Sequence, residues 1–346
     1  MKRIIINTTD TLSAILVGAR WEAVTKLLPG RNTVIITDSN IHKIYGSRFP
    51  EFPVIKVKPG EQSKQMIVAE RIAGELLKKG IDRTGFILAI GGGVVCDLAG
   101  FVASIYLRGI RCGYISTSLL SQVDASTGGK TGVNLGQVKN VIGTFRQPEF
   151  VICDTTMLRT LSEVEYLSGM AELIKTGLIG DRSIIDILHK EFPSVIRRDR
   201  KLMTDLVFRA VKVKASVVAK DEKESGLRRI LNFGHTFGHA FELSSNMRHG
   251  FAVAAGMELA AGYSNAAGIL SAKDFQKVKD ILELFKLRNR SFISVEETRK
   301  LLRYDKKKSG DKINFVLLKG IGKPVTEMVR IKAILDFYSE YIKNRQ

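Results

Sequence analysis

Residues 85–107 constrain the fold more than any other part of the chain. The run is mostly apolar, is flanked by Arg83 and Arg108, and is long enough to cross a bilayer, for which a helix needs about 20 apolar residues. It also holds Asp97 and five glycines, three of them consecutive, and each glycine weakens a helix by roughly 1 kcal/mol relative to alanine. A strand buried on both faces (Phe86–Ile90), a glycine turn (Gly91, Gly92, Gly93) and a buried helix account for the same residues better than a membrane span. Continuous apolar strands of this kind belong to parallel sheets covered by helices on both faces.

The flanking sequence repeats the alternation. Thr33–Thr37 and Val54–Val57 read as strands, and Lys64–Lys79 as an amphipathic helix stopped by Gly80. This predicts an α/β N-terminal domain with a parallel, Rossmann-like sheet. Beyond Ser162 helical patterns dominate: Glu163–Leu178, Lys201–Ala219, His249–Ala267, Ala272–Phe285 and Val295–Arg303. Lys312–Leu318 is the single strand expected there. The chain of 346 residues therefore divides into an α/β domain, 1–161, and a mainly α-helical domain, 162–346. No Pro- or Ser-rich linker and no internal repeat marks the boundary.

Cys96, Cys112 and Cys153 are odd in number and form no C-x-x-C pair, which fits a reducing cytoplasm and offers no cysteine metal site. The start of the chain has no long apolar segment of the secretory type, so a cytoplasmic location with no membrane partner is expected. The net charge is +19, with 20 Lys and Arg against 12 Asp and Glu in residues 1–162, and 34 against 23 in 163–346. An excess spread this evenly, without a basic tail, reads as a basic surface and not as a nucleic-acid device.

Four segments carry chemistry. Gly91 to Asp97 joins a strand to a helix, where glycine admits a phosphate close to the backbone and a helix start favours an anion; a plain tight turn is the alternative. Asp124 to Asn134 is a second glycine-rich stretch, read as a loop; Lys130, Lys139 and Asn140 could gather round a phosphate, or are ordinary loop residues. It lacks the P-loop spacing. His235, His239 and His249 fall within fifteen residues, and His235 and His239, four apart, share a helix face. Three histidines so close point to a metal or to a proton relay; catalytic zinc keeps three protein ligands and an open position, and a carboxylate from elsewhere would complete such a set. Glu172 and Lys175, three apart among apolar neighbours, are either a surface ion pair or a buried polar pair.

Together these segments resemble the 3-dehydroquinate synthase family of sugar-phosphate cyclases, from about residue 33 to 320. The matching stretches include Thr37–Asn40, Pro59–Lys64, Gly91–Asp97, Tyr106–Gly109, Thr117–Asp124, Gly128–Asn134, Gly169–Gly177, Asp221–Arg228, Leu231–His239, His249–Gly250 and Asp305–Lys307. The resemblance implies zinc or cobalt held by Glu172, His235 and His249. It implies an NAD site of Asp38, Glu61, Lys64, Gly91, Gly92, Gly93, Asp97, Thr117, Ser118, Thr160, Leu161 and Glu165. It implies a substrate site of Arg108, Asp124, Lys130, Lys139, Asn140, Lys175, Lys214, Arg228, Asn232, His239, Lys306 and Lys307, with Asp124, Lys130, Lys175 and His239 catalytic. The family's substrate, 3-deoxy-arabino-heptulosonate 7-phosphate, carries carboxylate and phosphate, which suits so many cations. NAD is used catalytically: a hydride leaves C5, phosphate is eliminated, the hydride returns, and the ring closes by aldol addition. A homodimer is the expected assembly.

The chain departs from the family pattern at Cys96, usually glycine; at Ser116 and Ser118, usually part of a P-T-T run; at Ala125-Ser126-Thr127 after the aspartate; and at Phe251, often glutamate. The last change removes a carboxylate near a candidate metal ligand. Sister cyclases forming aminodehydroquinate or 2-deoxy-scyllo-inosose, and metal-dependent polyol dehydrogenases, share this logic; Arg108, Lys139, Asn140 and Arg228 favour the heptulosonate.

Overall fold

The computed structural model describes residues 1–7, 12–30, 32–136, 138–245, 247–289, 292–302 and 308–344. It forms two compact units, the first Met1–Ser162 with Arg198–Lys223, the second Glu163–Arg197 with Glu224–Gln346.

The first unit contains strands β1 (Lys2–Asn7), β2 (Leu12–Val17), β3 (Thr33–Asp38), β4 (Val54–Val57), β5 (Phe86–Gly91), β6 (Arg111–Ser116), β7 (Lys130–Leu135), β8 (Val138–Phe145) and β9 (Phe150–Cys153). Its helices are α1 (Ser39–Tyr45), α2 (Met66–Lys78) and α3 (Gly93–Ile105). Seven strands make one sheet in the order β1-β2-β9-β6-β5-β3-β4. Only β1 and β2 are antiparallel; from β2 outward every pair is parallel. The residues of β5 are all buried, as the continuous apolar run requires. Ile35, Leu88, Ile90, Ile115 and Ile152 form the centre of a core that also takes in Trp21 and Tyr45. From β3 the chain steps outward to β4, then returns to lay β5 on the other side of β3. The sheet therefore reverses direction between β3 and β5, and the carboxyl ends at such a reversal are where open α/β sheets bind ligands.

The second unit contains α4 (Glu163–Ile179), α5 (Arg182–Lys190) and α6 (Phe192–Ile196). Helix α7 (Arg200–Lys220) interrupts it in sequence, and α8 (His235–Ser245), α9 (His249–Ala266), α10 (Ala272–Leu284) and α11 (Val295–Leu302) follow. It closes with β10 (Lys308–Ser309), β11 (Lys312–Gly320), β12 (Lys323–Arg330) and α12 (Ile331–Lys343).

Three expectations are corrected. Helix α7 belongs with the sheet unit and not with the helical one, so the boundary at 161/162 is not a single cut. Its apolar face, including Met203, Leu206, Val207 and Ala210, is buried, and Lys2 donates to Asp205 at 2.7 Å from β1. The second unit holds a three-stranded antiparallel sheet, β10-β11-β12, not one strand. Strand β12 is mostly solvent-facing and has no apolar run for periodicity to detect. Part of the glycine-rich stretch after Asp124 is the hairpin β7–β8; Gly132 and Gly143 oppose each other there so closely that an added Cβ at Gly143 would lie 2.4 Å from the Thr131 carbonyl oxygen.

Candidate functional site

In the second unit, backbone contact between helices sets the geometry. Gly250 follows His249 at the start of α9, where an added Cβ would lie 2.0 Å from the carbonyl oxygen of Ser168 on α4; Gly250 N also donates to Ser168 Oγ at 3.1 Å. Gly234, with φ +81°, turns the chain into α8, and a Cβ on Gly256 of α9 would lie 1.9 Å from its carbonyl oxygen. Only glycine permits such approaches. They bring the first residues of α8 and α9, His235 and His249, against Glu172 in the middle of α4.

The Glu172 carboxylate is fully buried. One oxygen, Oε1, lies 3.8 Å from His235 Nε2 and 3.4 Å from His249 Nε2; the other is ion-paired with Lys175, itself buried. This pair is therefore the buried one, not a surface bridge. One donor atom from each of Glu172, His235 and His249 lies within 4.8 Å of the others, close enough for one divalent cation to contact all three after small side-chain shifts. Glu172 is the carboxylate that spacing could not choose among 35 acids.

Both imidazoles are oriented from behind. His235 Nδ1 lies 3.2 Å from the Phe233 carbonyl oxygen, which can only accept, so the proton sits on Nδ1 and Nε2 is left for a metal. His249 Nδ1 faces Glu242 Oε2 at 3.4 Å. Burial pushes the His249 pKa down, but the hydrogen bonds and charges of Glu172 and Glu242 outweigh it and hold it at about 10. A proton and a metal compete for the Nε2 lone pair, so metal binding there releases a proton. His239, one turn along α8, is exposed, with its ring centroid 5.4 Å from that of His235. Arg228 is buried, and Asn232 donates to Glu224. Glu165 is ion-paired with Arg248. Sequence reasoning missed Glu242, although it stands three residues after His239 and seven after His235, on the same face of one helix.

In the first unit, Asp38, Gly91, Gly92, Gly93, Thr117 and Ser118 of the residues expected at a dinucleotide stand at the carboxyl ends of β3, β5 and β6, while Glu61 and Lys64 follow β4 and Thr160 and Leu161 follow β9. Asp38 ends β3 and caps α1, its Oδ1 accepting from Asn40 N at 2.9 Å and Ile41 N at 3.0 Å. Gly91 ends β5, where a Cβ would lie 2.5 Å from Val95 Cβ, and Gly92 precedes α3 with Ser118 Oγ 3.3 Å from its would-be Cβ. Thr117 N donates to Gly91 O at 2.9 Å. Lys64, 4% exposed, pairs with Asp97. Burial pushes the Asp97 carboxyl up and Lys64 pulls it back, with a net rise. Asn134 donates to Glu61 at 2.8 Å. Thr160 shares a hydrogen bond with Tyr45 at 2.7 Å, and the Leu161 carbonyl accepts from Arg198 at 2.6 Å.

Asp124 stands on a π-helical turn, Ser121–Ala125, a distortion frequent at functional positions. Lys214 of α7 donates to its carbonyl at 2.7 Å and pairs with its carboxylate. Lys130 is the exposed first residue of β7, not a loop residue, and Lys139 and Asn140 lie on β8. Arg108 is not on the last turn of α3, which ends at Ile105. Leu107, Arg108 and Gly109 have φ of 49°, 68° and 118°. Left-handed backbone at a non-glycine residue costs on the order of 1–3 kcal/mol and marks functional candidates. Lys306 and Lys307 lie outside the described residues.

A mostly parallel sheet with a glycine turn at its reversal, and a helical unit with a Glu-His-His cluster around a buried carboxylate, are the architecture of a dinucleotide- and metal-using α/β enzyme class. Models of the 3-dehydroquinate synthase N-terminal and C-terminal regions match residues 54–168 and 169–308. A 3-dehydroquinate synthase of Dictyoglomus turgidum is 42% identical over 315 residues, 89% of each chain. This chain belongs to the 3-dehydroquinate synthase family. Among solved structures it resembles a 2-epi-5-epi-valiolone synthase of Streptomyces hygroscopicus with NAD+ and Zn2+ bound, at TM-score 0.90 and 25% identity, covering 98% of this chain and 99% of that one. It also resembles a 2-deoxy-scyllo-inosose synthase complexed with carbaglucose-6-phosphate, NAD+ and Co2+, at TM-score 0.87 and 25% identity, covering 98% and 100%.

Proposed function

We propose that the chain is a phosphate-eliminating cyclase that converts 3-deoxy-arabino-heptulosonate 7-phosphate to 3-dehydroquinate and phosphate, with NAD and a divalent metal, in the shikimate pathway to the aromatic amino acids. The observation that carries this is the buried Glu172 carboxylate between two imidazoles in a chain 42% identical to a 3-dehydroquinate synthase. The sister cyclases stand at 25%.

Glu172, His235 and His249 would hold zinc or cobalt: one carboxylate and two neutral imidazoles suit either ion. When bound, the metal lowers the pKa of substrate hydroxyls and NAD takes up and returns one hydride. Asp38, Gly91, Gly92, Gly93, Thr117 and Ser118 flank the sheet reversal that favours a dinucleotide, with Glu61, Lys64 and Asp97 beside them; Thr160, Leu161 and Glu165 are retained on family resemblance. His239 is exposed on the face that carries His235, where an imidazole can move a proton. Lys175 holds the second oxygen of Glu172 in an ion pair. In the first unit, Arg108, Lys130, Lys139 and Asn140 offer donors to the substrate's phosphate and carboxylate, and Lys214 orients Asp124. Arg228 and Asn232 are assigned to substrate in the second unit.

We further infer a homodimer in the cytoplasm. Leu135, Val138, Val141 and Phe145 of the β7–β8 hairpin are exposed apolar residues, a pattern that favours a protein interface. Cys96, Cys112 and Cys153 are buried free thiols, as a reducing compartment permits. Among the described residues no helix is long and apolar enough to cross a membrane.

The test is to mix the chain with NAD, zinc and the heptulosonate phosphate. Phosphate and carbocycle should appear together with no net NADH. Stoichiometric NADH would favour a polyol dehydrogenase, and turnover only of a hexose phosphate would favour a sister cyclase.

A further inference from the structure

We infer that Glu242 is a positioning residue for the metal centre: its carboxylate accepts the Nδ1–H of His249, fixes the tautomer, and presents Nε2 toward Glu172. The inference rests on the metal reading of Glu172, His235 and His249.

Four observations carry it. Glu242 Oε2 lies 3.4 Å from His249 Nδ1, while the opposite ring nitrogen lies 3.4 Å from Glu172 Oε1. The imidazole is thus held between two carboxylates, one on each side. The Glu242 side chain is only 9% exposed, so water screens the contact little. The second imidazole has the same arrangement with a different acceptor, the Phe233 carbonyl behind His235; both rings therefore turn Nε2 to the same Glu172 oxygen. Finally, Phe251 leaves α9 without a carboxylate two residues after His249, and its side chain instead lines a cavity of about 270 Å³ with Met247, Arg248 and Leu287. The acceptor for His249 comes from α8.

The chemistry follows from what a ligand imidazole needs. An acceptor behind the ring raises the basicity of the ligating nitrogen and removes the entropy of ring rotation, and loss of such a partner lowers metal affinity by about 10–100-fold. Glu242 and His235 stand on one helix, seven residues apart, so α8 contributes one ligand and the support of another.

The test measures zinc affinity by competition with a chromogenic chelator, in the full chain, for Glu242→Ala, Glu242→Gln and His249→Ala. Glu242→Gln keeps shape and an acceptor oxygen but loses the charge. We expect Glu242→Ala to weaken zinc by about 10–100-fold and Glu242→Gln by less, with the melting temperature of the metal-free protein unchanged in the Gln variant and activity recovered at saturating zinc. Wild-type zinc affinity in both Glu242 variants, alongside loss of zinc in His249→Ala, would overturn the inference and leave the metal reading standing. Full zinc occupancy in His249→Ala would overturn both. Equal weakening in both Glu242 variants with a fall in metal-free stability would assign Glu242 a structural role and refute its positioning one.

Discussion

In the second unit the polar groups of the candidate site stand on helices: Glu172 on α4, His235 and Glu242 on α8, His249 on α9. In the first the residues expected at the dinucleotide stand where strands end: Asp38 at the end of β3, the glycines at and just after the end of β5, Thr117 and Ser118 just after β6. A helix fixes side-chain spacing by its own hydrogen bonds, so the metal cluster depends on three rigid bodies meeting, which Gly234, Gly250 and Gly256 allow. A turn has no such internal ruler. Its residues are placed by the order of strands in the sheet, and each polar group is held by a specific partner, as Lys64 is by Asp97 and Asp124 by Lys214. Loss of a ligand at the helical site should therefore remove metal binding at a stroke, whereas damage to the turns should grade with each contact.

The largest expected effect tests the helical side. His249→Ala removes one of three donors, and zinc affinity should fall by more than the roughly 100-fold upper range for a supporting residue, with phosphate release lost in parallel. Metal content after dialysis and a phosphate assay check it; retained zinc would break the comparison at once.

Next comes Arg108→Lys. The left-handed backbone at Leu107 and Arg108 presents a planar, two-pronged cation that lysine cannot imitate. We expect kcat/KM to fall about tenfold or more, equivalent to roughly 1.4 kcal/mol of transition-state binding, at constant melting temperature. Wild-type kinetics would remove Arg108 from the substrate site.

Two adjacent glycines sharpen the contrast within the turns. A Cβ on Gly91 meets Val95 Cβ at 2.5 Å, while one on Gly92 meets Ser118 Oγ at 3.3 Å. Gly91→Ala should lower stability by about 1–3 kcal/mol through overpacking. Gly92→Ala should leave stability nearly intact and raise the KM for NAD. Thermal unfolding and NAD titration distinguish them, and matched stability losses would show that Gly92 is structural too.

The smallest effects are acid–base, and they oppose each other. In the first unit burial pushes Asp205 up, but hydrogen bonds from Lys2 and Arg209 outweigh it and hold its pKa below 3.8. The stabilisation it contributes is present above the unfolded value and is lost as pH falls through the folded one. In the second unit burial raises Glu258 above 4.5 despite bonds from Tyr341 and Arg288. Its contribution is present below the unfolded value and is lost as pH rises through the folded one. Asp205→Asn should flatten the acid limb of stability by less than about 1 kcal/mol, and Glu258→Gln should remove a loss on the rising side. Melting temperatures across pH measure both; slopes of the same sign would refute the assignment.

The amino-acid sequence by itself determined the local elements and the identity of the chemistry. Val54–Val57 was read residue for residue, and α4, α7 and α9 to within one or two positions, because apolar periodicity and glycine stops act over a few residues. The histidine cluster was visible for the same reason: four-residue spacing has a fixed meaning on a helix. Other features depended on tertiary structure. Which acid joins the histidines, whether Glu172 and Lys175 are buried, which unit takes α7, and that β12 pairs with β11 are all contacts between segments distant in sequence. Local pattern carries no term for such contacts. Glu242 shows the boundary between the two: its spacing on α8 was in plain view, but its purpose appeared only when α9 brought His249 Nδ1 to within 3.4 Å of it.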